Sequence, residues 1–574
     1  MRPRIRGASE SRSPTPGPRA SGRFREDARP PSAVVESAPF DIVVTDLALS
    51  GEAYAESRGE TIYVEGAIPG EKVRVRIVPR GEASRWPEAK LRAGPRGGFA
   101  LARGQAGARD RGDDGVKAEL LSVLEPSPHR MPPACPHAAL CGGCSFQHIA
   151  YPEQLRLKTR LLDGLLADAF GPDRPKISPM IGMPVSEDGV PRRFRQKAAF
   201  GFTEDAKGQL QLGHFARGTH KIIPVTECLV HSDRANRVAF AIKDAMAKAR
   251  VPVATERSGL LRHVVVRVSE DEKEAVAVVV SAEEHRALEA PLRAIANSRD
   301  KPEGLLLNLH DQPSPYLFGP HTVRIDGTGH VKETALGPSF LASPTGFFQT
   351  NMQGAAHLVR LVMEAMGAGK SLRILDLYSG SGLFALPLAL ASHNVTAVEE
   401  SRKASREAAK NAQLSGVPES RLRLIPSKVE DAIDHLIPQE WDAAVIDPPR
   451  SGCPEEVMRT LTRKIAPQTL VIVSCNPESL MDELRVAFDA GYRARLVQPV
   501  DMFPHTPHLE TVVVLESSRR PRVKNTPDGP ARREARPGPR SPAAKKPFPP
   551  KPWEAMRAGR PATSSDRPKD KTRR

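Results

Sequence analysis

The chain has 574 residues, with 84 Lys and Arg against 68 Asp and Glu and a formal net charge of +16. Because a single hydrophobic core rarely grows beyond about 250–300 residues, this length predicts several domains. The basic excess lies at the two ends: residues 519–574 carry 18 basic and 5 acidic side chains, and residues 1–39 carry 8 and 4. The middle of the chain is therefore close to neutral, which excludes binding of nucleic acid through uniform positive charge.

Both ends are rich in Pro, Gly, Ser and Arg, so we expect residues 1–39 and 517–574 to be disordered basic tails. Two interpretations of the tails stay open. They attract phosphates weakly and in a salt-dependent way, or they are extensions with no defined role.

No apolar run approaches the ~18 residues of a membrane helix, and the Arg-rich N-terminus has no apolar signal core. We therefore expect a cytoplasmic protein with no membrane partner. In that compartment the six cysteines are more often metal ligands or nucleophiles than disulfide partners.

Short strand patterns separated by Gly and Pro turns predict a small β-barrel of the OB type in residues 40–124. The strand patterns lie at 41–44, 61–64, 72–77 and 116–124, with a Gly/Arg/Ala-rich insertion at about 81–115 that we expect to be flexible. The strand at 72–77 alternates basic and apolar residues, which predicts a positively charged face on the sheet.

Two further regions complete a multidomain chain. Residues 125–340 mix strand patterns at 260–268 and 275–280 with a helical pattern at 236–248, which predicts an α+β domain. Residues 341–516 alternate strands and helices with short loops. This order is typical of a Rossmann-like α/β domain with a doubly wound parallel sheet.

A glycine-rich turn at residues 376–382 (DLYSGSG) joins a predicted strand to a predicted helix, and its glycines let a ligand approach the backbone closely. Glu399 ends the next predicted strand, where a carboxylate can accept hydrogen bonds from both hydroxyls of a ribose. Neither a phosphate-binding lysine nor a complete GxGxxG pattern follows the turn. The pattern therefore favours S-adenosylmethionine over a dinucleotide or a nucleoside triphosphate.

Two more strand patterns end in polar loops. Asp447 follows the apolar run 443–446, and Cys475 follows the apolar run 470–473. An open α/β sheet presents its site at these strand ends, so a carboxylate and a thiol should share one edge. A thiol in a Ser-Cys-Asn-Pro loop beside a cofactor turn indicates covalent catalysis, and the alternative is an inert buried thiol.

Five segments occur in a fixed order along the chain. They are 343–351 (SPTGFFQTN), 376–382 (DLYSGSG), 447–452 (DPPRSG), 474–477 (SCNP) and 501–510 (DMFPHTPHLE). Over about residues 40–516 the chain resembles the bacterial RNA 5-methyluridine (uracil-C5) methyltransferases, a class I S-adenosylmethionine-dependent family. The resemblance implies that a cysteine adds to C6 of uracil, C5 takes a methyl group, and a base removes the C5 proton.

The resemblance assigns the nucleophile to Cys475 and the general base to Glu510. It assigns cofactor contacts to Gln349, Tyr378, Glu399 and Asp447. From the residues alone, Glu510 is equally an ordinary surface acid and Asp447 a helix cap. Arg450 has two interpretations, contact with a phosphate or the uracil, or an ion pair with an acid.

The chain departs from the family pattern in two places. Leu383 stands where the family has a polar amide, and residues 426–428 (PSK) replace a polar adenine contact. Contacts on the adenine side of the cofactor are therefore left unassigned. Cys453 fits no motif, and we expect it to be structural.

Three cysteines lie on one tight loop, and a fourth lies far along the chain. Four thiolates suit an iron–sulfur cluster or zinc, and a site without metal also stays open. The spacing resembles the [4Fe-4S] site of many of these methyltransferases, which implies as ligands Cys135, Cys141, Cys144 and Cys228. Because the uracil chemistry needs no redox step, we expect the cluster to be structural or to help hold RNA.

The predicted barrel resembles a TRAM domain, an RNA-binding module. Residues 194–197 (FRQK) and 261–263 (LRH) resemble the family's RNA-facing segments, with solvated basic faces as the alternative. The barrel and the cluster together point to the 23S ribosomal RNA branch. We expect 23S rRNA as the substrate and a monomer without an obligate protein partner. The alternatives are a tRNA uracil-C5 methyltransferase and a non-catalytic RNA-binding or ribosome assembly factor.

Overall fold

The computed structural model describes residues 38–57, 59–78, 115–255, 258–311, 317–334, 336–367 and 369–518. The predicted disordered tails and the predicted flexible insertion lie outside the described residues, apart from a few residues at their inner ends.

The first six strands form one sheet, in the order β1-β5-β6-β4-β3-β2. They are β1 (Phe40–Val43), β2 (Asp46–Leu47), β3 (Ala53–Ser57), β4 (Glu60–Val64), β5 (Lys72–Ile77) and β6 (Val116–Glu125). All four strands predicted in this region are present, and β2 and β3 go beyond the prediction. On β5 the apolar side chains Val73 and Val75 are buried while the basic ones between them face outward.

The positive face predicted on β5 is wrong, because each basic side chain has an acidic neighbour on an adjacent strand. The nitrogen–oxygen distances are 3.2 Å for Lys72–Glu125, 2.8 Å for Arg74–Asp41 and 3.7 Å for Arg76–Glu119. Cross-strand pairing of opposite charges therefore cancels the basic alternation that is visible in the sequence.

A long helix, α1 (Tyr151–Phe170), leads into a second sheet with the order β13-β12-β11-β10-β7-β8-β9. Its strands are β7 (Lys197–Glu204), β8 (Leu210–Phe215), β9 (Ile222–Pro224), β10 (Leu261–Val268), β11 (Ala275–Ser281), β12 (Gly304–Leu309) and β13 (His321–Gly327). Two helices, α2 (Asp233–Lys248) and α3 (Glu289–Ala296), and a short hairpin, β14 (Val331–Glu333) and β15 (Phe340–Ala342), complete this part. The predicted mixture of helices and strands is therefore present. None of the described helices is both long and apolar enough to cross a membrane.

The C-terminal part forms a third sheet with the order β18-β17-β16-β19-β20-β22-β21. Its elements are α4 (Met352–Met366), β16 (Arg373–Leu377), α5 (Ala385–Leu390), β17 (Asn394–Val398), α6 (Arg402–Leu414), β18 (Leu422–Ile425), α7 (Val429–Leu436), β19 (Ala443–Ile446), α8 (Glu455–Thr460), β20 (Thr469–Ser474), α9 (Pro477–Asp489), β21 (Tyr492–Val500) and β22 (Glu510–Ser517). The first five strands of this order are parallel, as predicted for a doubly wound sheet.

The prediction of a parallel sheet is wrong for one strand, β22. β22 is antiparallel to both β20 and β21, so the sheet is mixed. The segment between β21 and β22 contains no helix, and a connection without a crossover helix returns the chain antiparallel to its neighbour.

The second and third sheets share one continuous hydrophobic core. The buried valines of β11, Val276, Val278 and Val280, pack in the same cluster as Met352 of α4 and Ile374 of β16. A domain boundary near residue 340 therefore does not separate two independent cores.

A buried ion pair joins α1 to the loop between β21 and β22. Nζ of Lys158 lies 2.6 Å from Oδ1 of Asp501, and neither side chain is exposed. The ammonium also donates to the carbonyls of Phe503 at 3.1 Å and His508 at 2.8 Å. The hydroxyl of Tyr151 donates to Oδ2 of Asp501 at 2.8 Å. Because every proton of the ammonium has an acceptor, this charge is tolerated in the interior.

We expect Lys158→Met to lower the free energy of unfolding by about 3–5 kcal/mol, because it leaves the carboxylate of Asp501 buried without its counterion. The matched control is Arg360→Met on α4, where the ion pair with Glu364 is 44% and 56% exposed. For the control we expect a change below about 1 kcal/mol. Urea unfolding followed by circular dichroism measures both, and equal effects would contradict the role given to Lys158.

Candidate active site at the carboxyl edge of the third sheet

The candidate site lies where the order of the third sheet reverses, between β16 and β19. In doubly wound sheets this switch point leaves a crevice outside the carboxyl ends of the strands. β16, β17, β19 and β20 end here, and β22 begins here. The edge therefore collects four of the five selected segments (376–382, 447–452, 474–477 and 501–510) together with Glu399.

The glycine-rich turn after β16 has a left-handed backbone at Tyr378 (φ 63°), Gly380 (φ 55°) and Gly382 (φ 93°). A Cβ on Gly382 would lie 2.1 Å from Cδ1 of Leu386, so this glycine is required for close packing. A Cβ on Gly380 would meet no atom within 4 Å. Gly380 therefore leaves open space where a ligand can approach the backbone.

Glu399 follows β17 and holds the glycine-rich turn. Its Oε2 accepts the N–H of Gly380 at 2.9 Å, and its Oε1 accepts the N–H of Ser401 at 2.7 Å. Burial raises the pKa of Glu399 even though these two hydrogen bonds act against it. The carboxylate is therefore fixed beside the turn.

Asp376, to which the sequence analysis gives no role, is a buried acid at this edge. Its side chain is not exposed, and neither carboxylate oxygen has a hydrogen-bond partner among the described residues. Burial, together with the neighbouring charge of Asp447, raises the pKa of Asp376 well above its usual range. An unpartnered buried carboxyl of this kind is expected where a ligand completes the site.

Asp447 follows β19, and its backbone N–H donates to the carbonyl of Leu377 at 3.3 Å, which ties its loop to the end of β16. Burial raises the pKa of Asp447 to about 7. The interpretation of Asp447 as a helix cap is wrong, because the next helix, α8, has Pro454 at its N-cap.

Cys475 and Glu510 are brought together by the register of two adjacent strands. Ser474, the last residue of β20, pairs with Thr511 of β22 in an antiparallel ladder. Cys475 directly follows β20 and Glu510 is the first residue of β22, so both lie at the same end of two adjacent strands, and the charge of Glu510 acts on Cys475. Glu510 is 6% exposed, so it is not a surface acid.

The electrostatics of this pair follow from burial and from one arginine. Burial, followed by the charge of Glu510, raises the pKa of Cys475 to about 12. Burial, followed by the charge of Asp447, raises the pKa of Glu510 well above its usual range. The positive charge of Arg450 lowers both pKa values. Arg450 itself has no acid within 4.0 Å among the described residues, so the ion-pair interpretation of this side chain is not supported.

Asn476 connects the loops that carry Cys475 and Arg450. Its Oδ1 accepts the N–H of Glu478 at 3.2 Å and thereby caps α9, while its Nδ2 donates to the carbonyl of Arg450 at 2.9 Å. One side chain therefore holds the nucleophile loop and the arginine loop in register.

Gln349 lies half-buried in the segment between β15 and α4. Side chains of the second sheet hold this segment immediately before Gln349. Nζ of Lys197 donates to the carbonyl of Gly346 at 3.1 Å, and Nη1 of Arg267 donates to the carbonyl of Phe348 at 3.3 Å. Arg267 has no exposed surface. The position of Gln349 therefore depends on β7 and β10.

The segment 194–197 is not a solvated basic face. Phe194 and Gln196 are buried, and Lys197 is engaged as described above. Oε1 of Gln196 accepts the N–H of Met352 at 3.3 Å, which supports the start of α4. Most side chains of this segment are therefore buried or hydrogen-bonded within the protein and stabilise the fold.

Tyr378 points toward the helical layer of the third sheet. Its hydroxyl lies 3.6 Å from Sγ of Cys453. The N–H of Cys453 donates to Oε1 of Glu483 at 2.8 Å. Burial raises the pKa of Cys453 to about 12, so this thiol stays protonated near neutral pH.

The four cysteines predicted as metal ligands lie near one another between the first and second sheets. Burial raises the pKa of Cys141, Cys144 and Cys228, the last to about 12. Neighbouring thiols add to these shifts: Cys135 acts on Cys141 and Cys144, and Cys144 acts on Cys228. The fold therefore brings Cys135 close to Cys228, 93 positions later in the chain, as a shared metal site requires.

The cysteine loop is also in contact with the loop that leads to Glu510. The N–H of Phe146 donates to the carbonyl of His505 at 2.9 Å. Arg195 lies between the two loops: its guanidinium carbon is 6.0 Å from the ring centre of Phe503, and its charge lowers the pKa of Cys144.

The edge as a whole is lined by acids whose charge is not balanced. Asp376, Glu399, Asp447 and Glu510 all have raised pKa values, and burial is the largest cause for each. An arrangement of this kind favours a positively charged ligand, because a cation restores the ionised form of the carboxylates.

Three comparisons with known proteins bear on this edge. The family model described as tRNA (Uracil-5-)-methyltransferase matches residues 339–518. An uncharacterized RNA methyltransferase of Caldanaerobacter subterraneus is 30% identical over 482 residues, which cover 83% of this chain and 98% of that protein. One of Listeria monocytogenes is 30% identical, with coverage of 84% and 98%.

Among solved structures, the chain is similar to a Pyrococcus abyssi tRNA (uracil-54, C5)-methyltransferase in complex with S-adenosyl-L-homocysteine. The TM-score is 0.61 at 22% identity, and the match covers 83% of this chain and 99% of that one. This match shows the fold. The relatives confirm the resemblance that the motifs predict, and the chain therefore belongs to the RNA methyltransferase family that the tRNA (uracil-5-)-methyltransferase model describes.

Proposed function

We propose that this protein transfers a methyl group from S-adenosylmethionine to C5 of a uracil in RNA, through a covalent adduct between Cys475 and C6 of the base. The observation that carries the proposal is the position of Cys475 and Glu510. They lie at the same end of adjacent strands, where the charge of Glu510 acts on Cys475, beside the acid-lined edge that fits a cationic cofactor.

The residues at this edge fit S-adenosylmethionine. Glu399 and the turn at Gly380 would hold the ribose, and Gln349, Tyr378 and Asp447 would hold the remainder, with Asp376 as an additional acid. When bound, the cofactor supplies an electrophilic methyl group on a positively charged sulfur. The uncompensated acids at this edge support a ligand with that charge.

The mechanism assigns one task to each residue. The thiol of Cys475 would lose its proton to solvent, which Arg450 favours because its positive charge stabilises the thiolate. The thiolate would form a bond to C6, and the electron pair displaced to C5 would form the new bond to the methyl carbon, while the bond between that carbon and the cofactor's sulfur would break with its electrons staying on sulfur. Glu510, ionised, then takes the proton from C5, and the electrons of that C–H bond restore the C5–C6 double bond as the Cys475–C6 bond breaks.

A non-catalytic RNA-binding role is disfavoured by the same pair. Binding alone requires neither a thiol nor a buried carboxyl beside it. Burial of Glu510, which is only 6% exposed, costs free energy, and a catalytic role of this carboxyl would explain why the protein keeps it.

For the RNA target we propose 23S rRNA, with tRNA as the second candidate. The family model is described by a tRNA reaction, and a protein with this fold along 99% of its length is a tRNA methyltransferase. The presence of the N-terminal sheet therefore does not separate the two targets. The proposal for rRNA therefore rests on the resemblance of the cysteine cluster.

For the cysteines we propose a [4Fe-4S] cluster held by Cys135, Cys141, Cys144 and Cys228. Four sulfurs around one zinc ion would lie about 3.8 Å apart. In this structure no three of these sulfurs lie within 4.8 Å of one another. The absence of a compact set of three of these sulfurs supports a cluster over a single zinc ion. Such a cluster would stiffen the loop that carries Phe146 and contacts His505.

We expect Glu510→Gln to accumulate a covalent complex with unmodified RNA in the presence of S-adenosylmethionine, because the C5 proton can no longer be removed. Cys475→Ala should form no complex, and Cys453→Ala, the matched thiol control, should turn over normally. Denaturing gel electrophoresis with labelled RNA measures the complex. Adduct formation by Cys475→Ala would exclude the proposed nucleophile.

The covalent complex that Glu510→Gln forms also identifies which RNA is the substrate. Glu510→Gln protein is incubated with total cellular RNA, and the covalently held RNA is sequenced after digestion. Recovery of one ribosomal segment would support the 23S proposal, whereas recovery of tRNA would overturn it and leave the chemistry intact.

We expect the affinity for S-adenosylmethionine relative to S-adenosylhomocysteine to rise about three- to tenfold from pH 6 to pH 8. The pKa of Asp447 is about 7 in the free protein, and a bound sulfonium lowers it. Binding therefore releases a proton and tightens as the pH rises through 7, whereas the uncharged sulfur of the product has little such effect. Calorimetric titration measures the ratio. Asp447→Asn should flatten it, and an unchanged slope in this variant would contradict the role of Asp447.

A further inference from the structure

The helix α6 lies beside the candidate cofactor site and contacts three of the segments that form it. Its N-terminus follows Glu399, whose Oε1 accepts the N–H of Ser401 at 2.7 Å, and Oγ of Ser405 donates to the Glu399 carbonyl at 3.4 Å. Further along the helix, side chains reach the glycine-rich turn and the segment that leads to Gln349. The proposed reaction gives no task to any residue of α6.

One stripe of α6, with its members at the i, i+4 spacing of a helix face, follows the segment 339–346. The members of the stripe are Lys403, Glu407, Asn411 and Ser415. Nζ of Lys403 donates to Oγ1 of Thr345 at 2.9 Å. Oγ of Ser415, the C-cap residue, accepts the N–H of Ser339 at 2.9 Å. The stripe therefore holds this segment along the length of the helix.

Asn411 has no exposed surface, and its side-chain amide joins two segments of the candidate cofactor site. Its Oδ1 accepts the N–H of Leu341 in β15 at 2.8 Å. Its Nδ2 donates to the carbonyl of Ser381 in the glycine-rich turn at 3.2 Å. An amide carries an acceptor and a donor on one uncharged group, so a single side chain can hold both segments.

Both contacts of Asn411 lie close in the chain to positions that would hold the cofactor. Ser381 stands between Gly380, which leaves open space for a ligand, and Gly382, which is required for close packing. Leu341 precedes Gln349 by eight residues. A change in the distance between Ser381 and Leu341 would therefore move two parts of the cofactor site relative to each other.

Asparagine at this position is not explained by the helix itself. It is a weaker helix former than leucine, and a buried amide costs free energy unless its hydrogen bonds are made. Both bonds of the Asn411 amide run to segments outside α6. The side chain therefore acts between segments of the site and contributes little to the helix that carries it.

We propose that Asn411 is a positioning residue for the cofactor. Its amide sets the distance between the glycine-rich turn and the segment of Gln349, so that both contact S-adenosylmethionine at once. Groups that bind one ligand from two sides lose affinity when their spacing changes, even if each group is intact. This inference rests on the proposed function, because it concerns the same cofactor.

The test is calorimetric titration of the full-length protein with S-adenosylmethionine and S-adenosylhomocysteine, well below the unfolding temperature. Asn411→Leu keeps a similar volume and removes both hydrogen bonds, so the affinity for each ligand should fall about tenfold. Ser415→Ala is the matched control on the same stripe. It removes the bonds to Ser339 alone and should change the affinity less than about twofold.

A purely structural role of Asn411 would give a different result in the same titration. It would lower the fraction of protein that binds, while the fraction that remains folded would bind with unchanged affinity. Urea unfolding followed by circular dichroism shows how much of each variant is folded under the conditions of the titration.

Asn411→Asp and Gln349→Ala provide a second measurement. The introduced carboxylate still accepts from Leu341 but cannot donate to Ser381, so this variant releases the turn alone and should lose less affinity than Asn411→Leu. Asn411→Leu already displaces Gln349, so its effect and that of Gln349→Ala should be less than additive in the double variant. Asn411→Asp and Gln349→Ala should be additive.

Unchanged affinity in both Asn411 variants would overturn the inference, as would full additivity of Asn411→Leu with Gln349→Ala. Either result leaves the methyltransferase proposal intact, because the RNA adduct assay tests that proposal separately. If wild type bound neither ligand, both the inference and the proposed cofactor would be wrong.

Discussion

The buried ion pair between Lys158 and Asp501 is the constraint on which the candidate site depends. It holds α1 against the loop between β21 and β22, and the ammonium also binds the carbonyls of Phe503 and His508. Glu510 follows His508 by two residues and begins β22. Its position opposite Cys475 is therefore set partly by a cation contributed from a helix 350 residues earlier in the chain. Because a buried charge tolerates little displacement from its partners, the loop has few alternative conformations.

A second constraint is the excess of buried acid at the carboxyl edge of the third sheet. Asp376, Asp447 and Glu510 all have raised pKa values because they are buried near one another, and Arg450 is the cation that acts on the last of them. This arrangement is unfavourable in the free protein and favourable once a positively charged ligand is present. The stability of the site and its affinity for a cationic methyl donor are thus two consequences of the same electrostatics.

Direct side-chain and backbone contacts connect the three sheets near this edge. Arg267 of β10 and Lys197 of β7 hold the segment that carries Gln349. Phe146 of the cysteine loop binds the carbonyl of His505, and Arg217 binds the carbonyl of Cys144 and pairs with Glu65 of the first sheet. A metal bound at the cysteine loop would therefore act on the loop of Glu510 through direct contacts.

The sequence by itself predicted the α/β order of the C-terminal part, the glycine-rich turn and the thiol of Cys475 at a strand end, because strand periodicity and local motifs are readable without knowledge of contacts. Glu510 was selected by the family resemblance, since its residues alone fit an ordinary surface acid. The sequence did not determine the antiparallel direction of β22, the pairing of the basic side chains of β5 with acids, or the buried role of Gln196. These depend on which strands become neighbours. Lys158 carries no local signal, since its significance comes only from burial beside a partner that a distant segment supplies. Asp376 stands in the glycine-rich segment, but its burial is not visible in that segment. Tertiary structure alone decided them, because desolvation of a polar group is a property of its surroundings and not of its neighbours in the chain.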